Sequence, residues 1–327
     1  MRTLQAHWPD TRITWVIGKT EHALVGDIPG INFIIFDKKR GWRAYADVRR
    51  QLRGLRFDAL LHMQVALRAS LISLLVDAPI KLGFDRARAK DGQWLFTNHK
   101  IAPREREHVL DSLFGFAEAL GVPQRTLRWD IPIPAAAHAF AEANLPNGKF
   151  IAISPCASMA YRNWTVSGYA ATAVHAVRRY GMKVVLCGGP SALERKYASE
   201  IHNHLHASGL GNALTDLIGK TDLKQLLAIL QRATCLISPD SGPAHLATAV
   251  GIPVIGLYAC ANPDRTGPYL SAQYMVNRYP DAVQNKYGKS PAELPWGVRI
   301  KDTTAMERIT SDEVLLTLDR LLTSAAG

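Results

Sequence analysis

The sequence predicts an α/β protein made of two nucleotide-fold domains, each with a parallel sheet covered by helices. Three observations predict it. Strand-like and helix-like segments alternate along nearly all of the 327 residues, as βαβ units require. A Pro-rich break at 121–148, carrying Pro123, Pro132, Pro134 and Pro146, separates two such series, and the length suits two ordinary domains. The second series contains a strand that runs into a tight turn opening a helix, the usual ligand-facing junction of these sheets.

Taken in order, residues 2–7 read as the tail of a helix that leads through Trp8, Pro9 and Asp10 into a strand at 12–17. A leading strand is missing, so the first sheet is expected to have a gap at its centre. Further strands fall at 32–36, 59–63 and 80–84, with helices between them, the clearest at 42–55 and 109–120. Gly121 and Pro123 then supply a normal helix stop. The polar, Ala-rich stretch 135–144 belongs to the break, and the first domain is assigned to 1–145, the second to 146–327. Second-half strands follow at 150–154, 183–187, 235–238 and 254–257, with helices at 165–180, 192–206, 223–231 and 243–250. Residues 269–304 show little periodicity. A last helix starts at the capping pattern Thr310-x-x-Glu313, with Val314, Leu315, Leu318 and Leu322 on one side, and is a candidate to pack back on the first domain.

Composition narrows the function classes. Hydrophobic residues make up 47% and charged ones 20%, as in a globular protein, and neither a membrane-length apolar run nor a signal sequence is visible. Cys156, Cys187, Cys235 and Cys260 lack metal or redox spacing and read as reduced core thiols, which fits a cytoplasmic protein. The net charge of +11 is uneven, with 22 Lys and Arg against 15 Asp and Glu in residues 1–150. Lys38, Lys39, Arg40, Arg43, Arg49, Arg50, Arg53 and Arg56 face only Asp47 as a counter-charge. Such a field suits an anionic membrane surface, a phosphorylated substrate or nucleic acid. A nucleic-acid partner is disfavoured because interleaved aromatics and a known binding module are lacking.

Ligands of parallel sheets bind beyond the carboxyl ends of the strands, so the turns after the second-half strands carry the chemistry. The first offers the Ser158 hydroxyl and the Arg162 guanidinium, whose planar fork suits a diphosphate. The second contains Gly188 and Gly189, with Glu194 on the next helix able to hold ribose hydroxyls. In the third, Ser238-Pro-Asp-Ser-Gly-Pro-Ala-His, Pro243 suits a first helical position, and free amides at the positive end of the helix favour an anion. Ser241 and His245 add donors there, while Asp240 is expected to cap the helix or hold a sugar. Sequence patterns for a P-loop, a dinucleotide fingerprint, a hydrolase elbow and an Asp-x-Asp metal pair are all absent. Of His202, His204 and His206, only His202 and His206 share a helical face, which makes a poor metal site.

With these residues assembled, the chain resembles the family 9 glycosyltransferases, the ADP-heptose:lipopolysaccharide heptosyltransferases. Ser238 to Ala247 is similar to the family's Asp-Ser/Thr-Gly-x-x-His segment, and Arg162-Asn163-Trp164 to its Lys/Arg-x-Trp. Gln64 and Arg68, and Gly83 to Lys90, resemble its acceptor-facing segments. The resemblance implies a GT-B fold whose two domains face each other across a cleft. It places Ser158, Arg162, Asp240, Ser241, Gly242, Pro243 and His245 around the donor diphosphate, and Glu194 at its ribose. Gln64, Arg68, Arg88 and Lys90 would meet a Kdo-lipid A acceptor of the lipopolysaccharide inner core. The implied reaction is an inverting, metal-independent heptose transfer from ADP-heptose, with no cofactor, at the inner face of the membrane. The family opens with a strand and a Gly-Asp turn whose Asp is the base, and this chain begins after that point. The catalytic base is therefore expected upstream of Met1, with a late start codon preferred over a fragment or an inactive form. A non-catalytic or truncated homologue that binds nucleotide sugar or anionic glycolipid is the alternative.

Overall fold

A computed structural model describes residues 1–324, which divide into two units, Met1–Pro132 and Ile133 onward. The first unit holds five strands, β1 (Ile13–Gly18), β2 (Ile31–Phe36), β3 (Ala59–Leu61), β4 (Ile80–Gly83) and β5 (His99–Lys100). They form two parallel sheets rather than one, β1-β2 and β3-β4-β5. Each sheet has its own apolar cluster. Helix Trp42–Leu52 lays Ala44, Val48 and Leu52, one helical repeat apart, against Ile34 and Phe36, and its arginines stay on the opposite, exposed face. Leu82, Phe84, Ile101 and Phe116 build the second cluster.

The second unit is one six-stranded parallel sheet. Its strands are β6 (Phe150–Ile153), β7 (Lys183–Leu186), β8 (Leu214–Asp216), β9 (Leu236–Pro239), β10 (Val254–Tyr258) and β11 (Met275–Asn277), in the order β11-β10-β9-β6-β7-β8. Every residue of β6, β9 and β10 is buried, because helices cover both faces of the sheet, and this explains the uninterrupted apolar runs. Helix ends carry the expected chemistry. Thr165 caps Val166–Tyr180 by accepting from the Gly168 amide at 3.1 Å, and Gly181, at φ +62°, closes that helix in the left-handed region.

Three expectations change. Residues 135–144 form a helix, Ala135–Asn144, that buries Ala137 and Ala141 in the second unit's core, so the division falls at Pro132 rather than after residue 145. The last helix, Ser311–Ser324, starts on the predicted box, with the Thr310 amide donating to Glu313 at 3.0 Å. Within the second unit, Val314, Leu318 and Leu321 belong to the same buried apolar cluster as Ile151, Ile153 and Tyr169. The stretch 269–304 holds β11 and a helix, Tyr279–Tyr287.

Candidate active site

The parallel order β10-β9-β6-β7 brings four carboxyl-end turns to one edge of the second sheet. After β6, the Ala157 amide donates to the Asn163 side chain at 2.8 Å and Trp164 is buried. The indole N–H donates to the Ile309 carbonyl at 2.9 Å, and the ring meets Tyr169 edge to face at 5.1 Å. Between these anchors the chain turns through Ala160–Arg162 and directs Arg162 inward, leaving it only 7% exposed.

Arg162 joins two of the turns. Its Nη2 donates to Ser158 Oγ at 2.7 Å, and its Nη1 donates to the carbonyl and the carboxylate of Asp240, at 3.1 and 3.0 Å. The Arg162 Nε is buried without a hydrogen-bond partner, an expensive arrangement for a charged group unless a ligand completes it. Asp240 does not cap the following helix as expected, because its carboxylate is held by Arg162, with Arg299 Nη2 3.9 Å away. The buried pair holds the Arg162 guanidinium in one place, between Ser158 and Asp240.

Helix Gly242–Ala249 begins on Ser241 with Pro243 in its first turn and no side-chain cap. Its first amides therefore remain available to an anion. Ser241 Oγ lies 2.7 Å from Ser238 Oγ, and His245 is exposed on the helix. Gly242 is the unusual residue. Its φ is not positive, and a Cβ there would meet open space, so neither backbone strain nor protein packing demands glycine. The glycine leaves the main chain open at that point, the condition for close approach of a ligand to the backbone.

Glu194 sits on the helix after β7, and its carboxylate is engaged at that helix start. It accepts from the Gly189 amide at 2.6 Å and from Ser191 Oγ at 2.6 Å, completing a capping box. A ribose contact would therefore use the remaining lone pairs of a carboxylate already fixed in place.

In the first unit the turns after β3 and β4 are stitched together by Gln93, which is fully buried. Its amide donates to the carbonyls of His62 and Gln64, at 2.7 and 3.4 Å, and its oxygen accepts from the Phe84 amide. This places Gln64 and Arg68 beside Lys90 at one sheet edge, all three exposed. Arg88 is committed elsewhere. It pairs with Asp85 and Glu107 and donates to the Ala102 carbonyl at 2.7 Å, so its charge is already matched, whereas Lys90 and Arg86 of the same segment are exposed. Behind the turn, His62 Nε2 lies 3.0 Å from Ser70 Oγ, and burial pulls the imidazole down to about 4.

Two residues near Asp240 that the sequence did not single out are Arg265 and Arg299. Arg265 lies in the turn after β10, which the carboxyl-end rule would have found had it been applied to the fourth strand. Arg299 lies in the weakly periodic stretch, where no local signal exists. The histidine pair is unproductive, with His202 and His206 only stacking at 6.2 Å, and no cluster of three or more metal-ligating side chains forms among the described residues. All four cysteines are free and buried, and burial pushes the thiols of Cys156, Cys187 and Cys235 up to about 12.

The family model of glycosyltransferase family 9 (heptosyltransferase) matches residues 45–295. The chain is similar to the lipopolysaccharide core heptosyltransferase OpsX of Haemophilus influenzae, 39% identical over 319 residues that cover 97% of this chain and 90% of that protein. Among solved structures it superposes on a family 9 glycosyltransferase from Veillonella parvula with a TM-score of 0.77 at 21% identity, covering 99% of this chain and 91% of that one. The ADP-heptose lipopolysaccharide heptosyltransferase II of Escherichia coli gives a TM-score of 0.73 at 20% identity, covering 100% and 94%. These likenesses identify the fold as GT-B.

Proposed function

The chain belongs to glycosyltransferase family 9, the heptosyltransferases, and from that premise we propose that it moves heptose from ADP-heptose to the lipopolysaccharide inner core by an inverting, metal-independent displacement. The observation that carries the reading is the buried Arg162, held by Ser158 and Asp240 and left with one unpartnered N–H beside a helix start whose side-chain cap is missing. Main-chain amides at Ser241, Gly242 and the residues after Pro243 bind the diphosphate together with Arg162, and His245 contributes a further donor. Glu194 holds the ribose. Gln64, Arg68 and Lys90 receive the acidic groups of a Kdo-lipid A acceptor.

An acceptor hydroxyl, losing its proton to a carboxylate, attacks the anomeric carbon, and the bond to the diphosphate oxygen breaks with its electron pair remaining on that oxygen. Preorganised donors aimed at the developing charge supply the stabilisation a metal ion would otherwise give. The reaction takes place at the cytoplasmic face of the membrane, with peripheral contact through the basic surface of the first unit. Lys38, Lys39, Arg40 and Arg43 there surround Trp42, which is 80% exposed. No helix of the described residues is long and apolar enough to cross a membrane.

The test is a transfer assay with ADP-heptose and a Kdo-bearing lipid A acceptor in the presence of a chelator. The account expects heptosylated product of inverted anomeric configuration and equimolar ADP. Retention of configuration, or a rate restored only by added divalent metal, would refute it.

A further inference from the structure

We propose that Arg265 and Arg299 complete, with Arg162, a cluster of three guanidinium groups around Asp240 that receives the donor's diphosphate and retains it as the glycosyl bond breaks. The proposal rests on the donor-site reading above and adds two residues to it.

Both arginines are fixed to the turn that follows β10. Asn262 caps the short helix Pro263–Thr266 by accepting from the Asp264 amide at 3.0 Å, which sets Arg265. The Ile300 amide donates to the Cys260 carbonyl at 2.9 Å, which pins Arg299 beside the same turn. Because β10 neighbours β9, this turn stands next to the one that carries Asp240. Arg299 Nη2 lies 3.9 Å from the same carboxylate oxygen that Arg162 holds at 3.0 Å. Burial, and then the Arg299 charge, pull the Arg265 guanidinium below its ordinary value, while Asp240 opposes them.

The charges do not balance. Arg162 and Arg299 share the single carboxylate of Asp240, and Arg265, close enough to feel both Asp240 and Arg299, has no ion-pair partner among the described residues. Arg265 is half-buried and Arg299 exposed beside it, and like charges this close are unfavourable unless an anion joins them. A second, independent sign points the same way, since the Arg162 Nε is buried with no acceptor in the protein. The unmatched charge is two positive units, which suits a diphosphate better than a single phosphodiester or a neutral sugar. Departure of the sugar leaves one further negative charge on the diphosphate, so the cluster favours the transition state and product over the intact donor.

Calorimetric titration of the full-length protein with ADP and with adenosine tests this, comparing the parent with Arg265→Gln, Arg299→Gln and Arg299→Lys. Each Gln variant is expected to weaken ADP binding about tenfold or more, the effect typical of losing a charge-assisted hydrogen bond, and to leave adenosine affinity within about twofold. Arg299→Lys should recover part of the loss, and the ligand-free melting midpoint should not fall, because repulsion is relieved. ADP affinity within twofold of the parent in both Gln variants, or equal losses for ADP and adenosine, would overturn the proposal. A parent protein that takes up no ADP would refute the donor-site reading itself, a result visible before any variant is compared.

Discussion

At Gly242 the requirements of folding and of binding come apart, which makes it the sharpest single-residue probe of the site. Gly242→Ala places a methyl group in open space at the first turn of a helix, where alanine is the better helix former. The melting midpoint should therefore hold or rise, whereas ADP affinity should fall at least tenfold because the methyl occupies the space of the ligand. Parallel loss of stability and binding would remove the special role assigned to this residue. Arg162→Gln should lower turnover by about 10²–10³, the cost of deleting a preorganised oxyanion donor, and Arg162→Lys should recover little because a lysine cannot fork between Ser158 and Asp240. Buried His62 makes a separate prediction about stability. Its folded value of about 4 lies below the ordinary 6.5, so the unfolded chain binds the extra proton first as pH falls. Stability should be insensitive to this group above pH 6.5 and decline by about 1.4 kcal/mol per pH unit between 6.5 and about 4. Urea denaturation of the parent and of His62→Asn at about pH 7 and pH 5 reads it, and equal declines in the two proteins would exclude His62 as the cause.

Among the elements, the Trp164 anchor shows how a helix sets Arg162. A Cβ on Gly168 would fall on the Trp164 ring well inside van der Waals contact, so Gly168→Ala should destabilise the second unit by about 1–3 kcal/mol through overpacking. Activity should drop at temperatures where the fold persists, since Arg162 is only two residues from the displaced ring. Unchanged ADP affinity in the folded variant would dissociate the anchor from the site. Legibility of the elements followed local chemistry. The buried runs of β6, β7, β9 and β10, the Thr310–Glu313 box and the Gly121 stop all write their signal within a few residues. By contrast, β5, β8 and β11 span two or three residues and exist because a neighbouring strand offers hydrogen bonds, which no short window records. Helix Ala135–Asn144 looks like linker in the sequence because alanines show little amphipathic contrast, although Ala137 and Ala141 are the small residues that pack into the second unit's core.

For the whole molecule, the first unit's charge asymmetry makes membrane contact measurable. Sedimentation with vesicles containing anionic lipid should retain the protein at low salt and release it at high salt, since exposed charges are screened beyond about 10 Å at 0.1 M ionic strength. Trp42→Ala should weaken retention more at high salt than at low, because its apolar contribution is unscreened. Retention by neutral vesicles equal to that by anionic ones would contradict the electrostatic account. At this scale the sequence conveyed the two-domain α/β order and the convergence of the second-unit turns on one sheet edge, because turns after successive strands converge by topology alone. It could not show that Arg88 is neutralised by Asp85 and Glu107, or that Arg299 reaches Asp240, since both depend on contacts between distant segments. The central claim is that amides and guanidinium groups of the second unit hold a diphosphate without metal. Titration of ADP into the protein in excess chelator tests it most directly. The account predicts saturable one-to-one binding that Arg162→Gln abolishes. Binding that appears only after magnesium is added, or that survives Arg162→Gln unchanged, would contradict it.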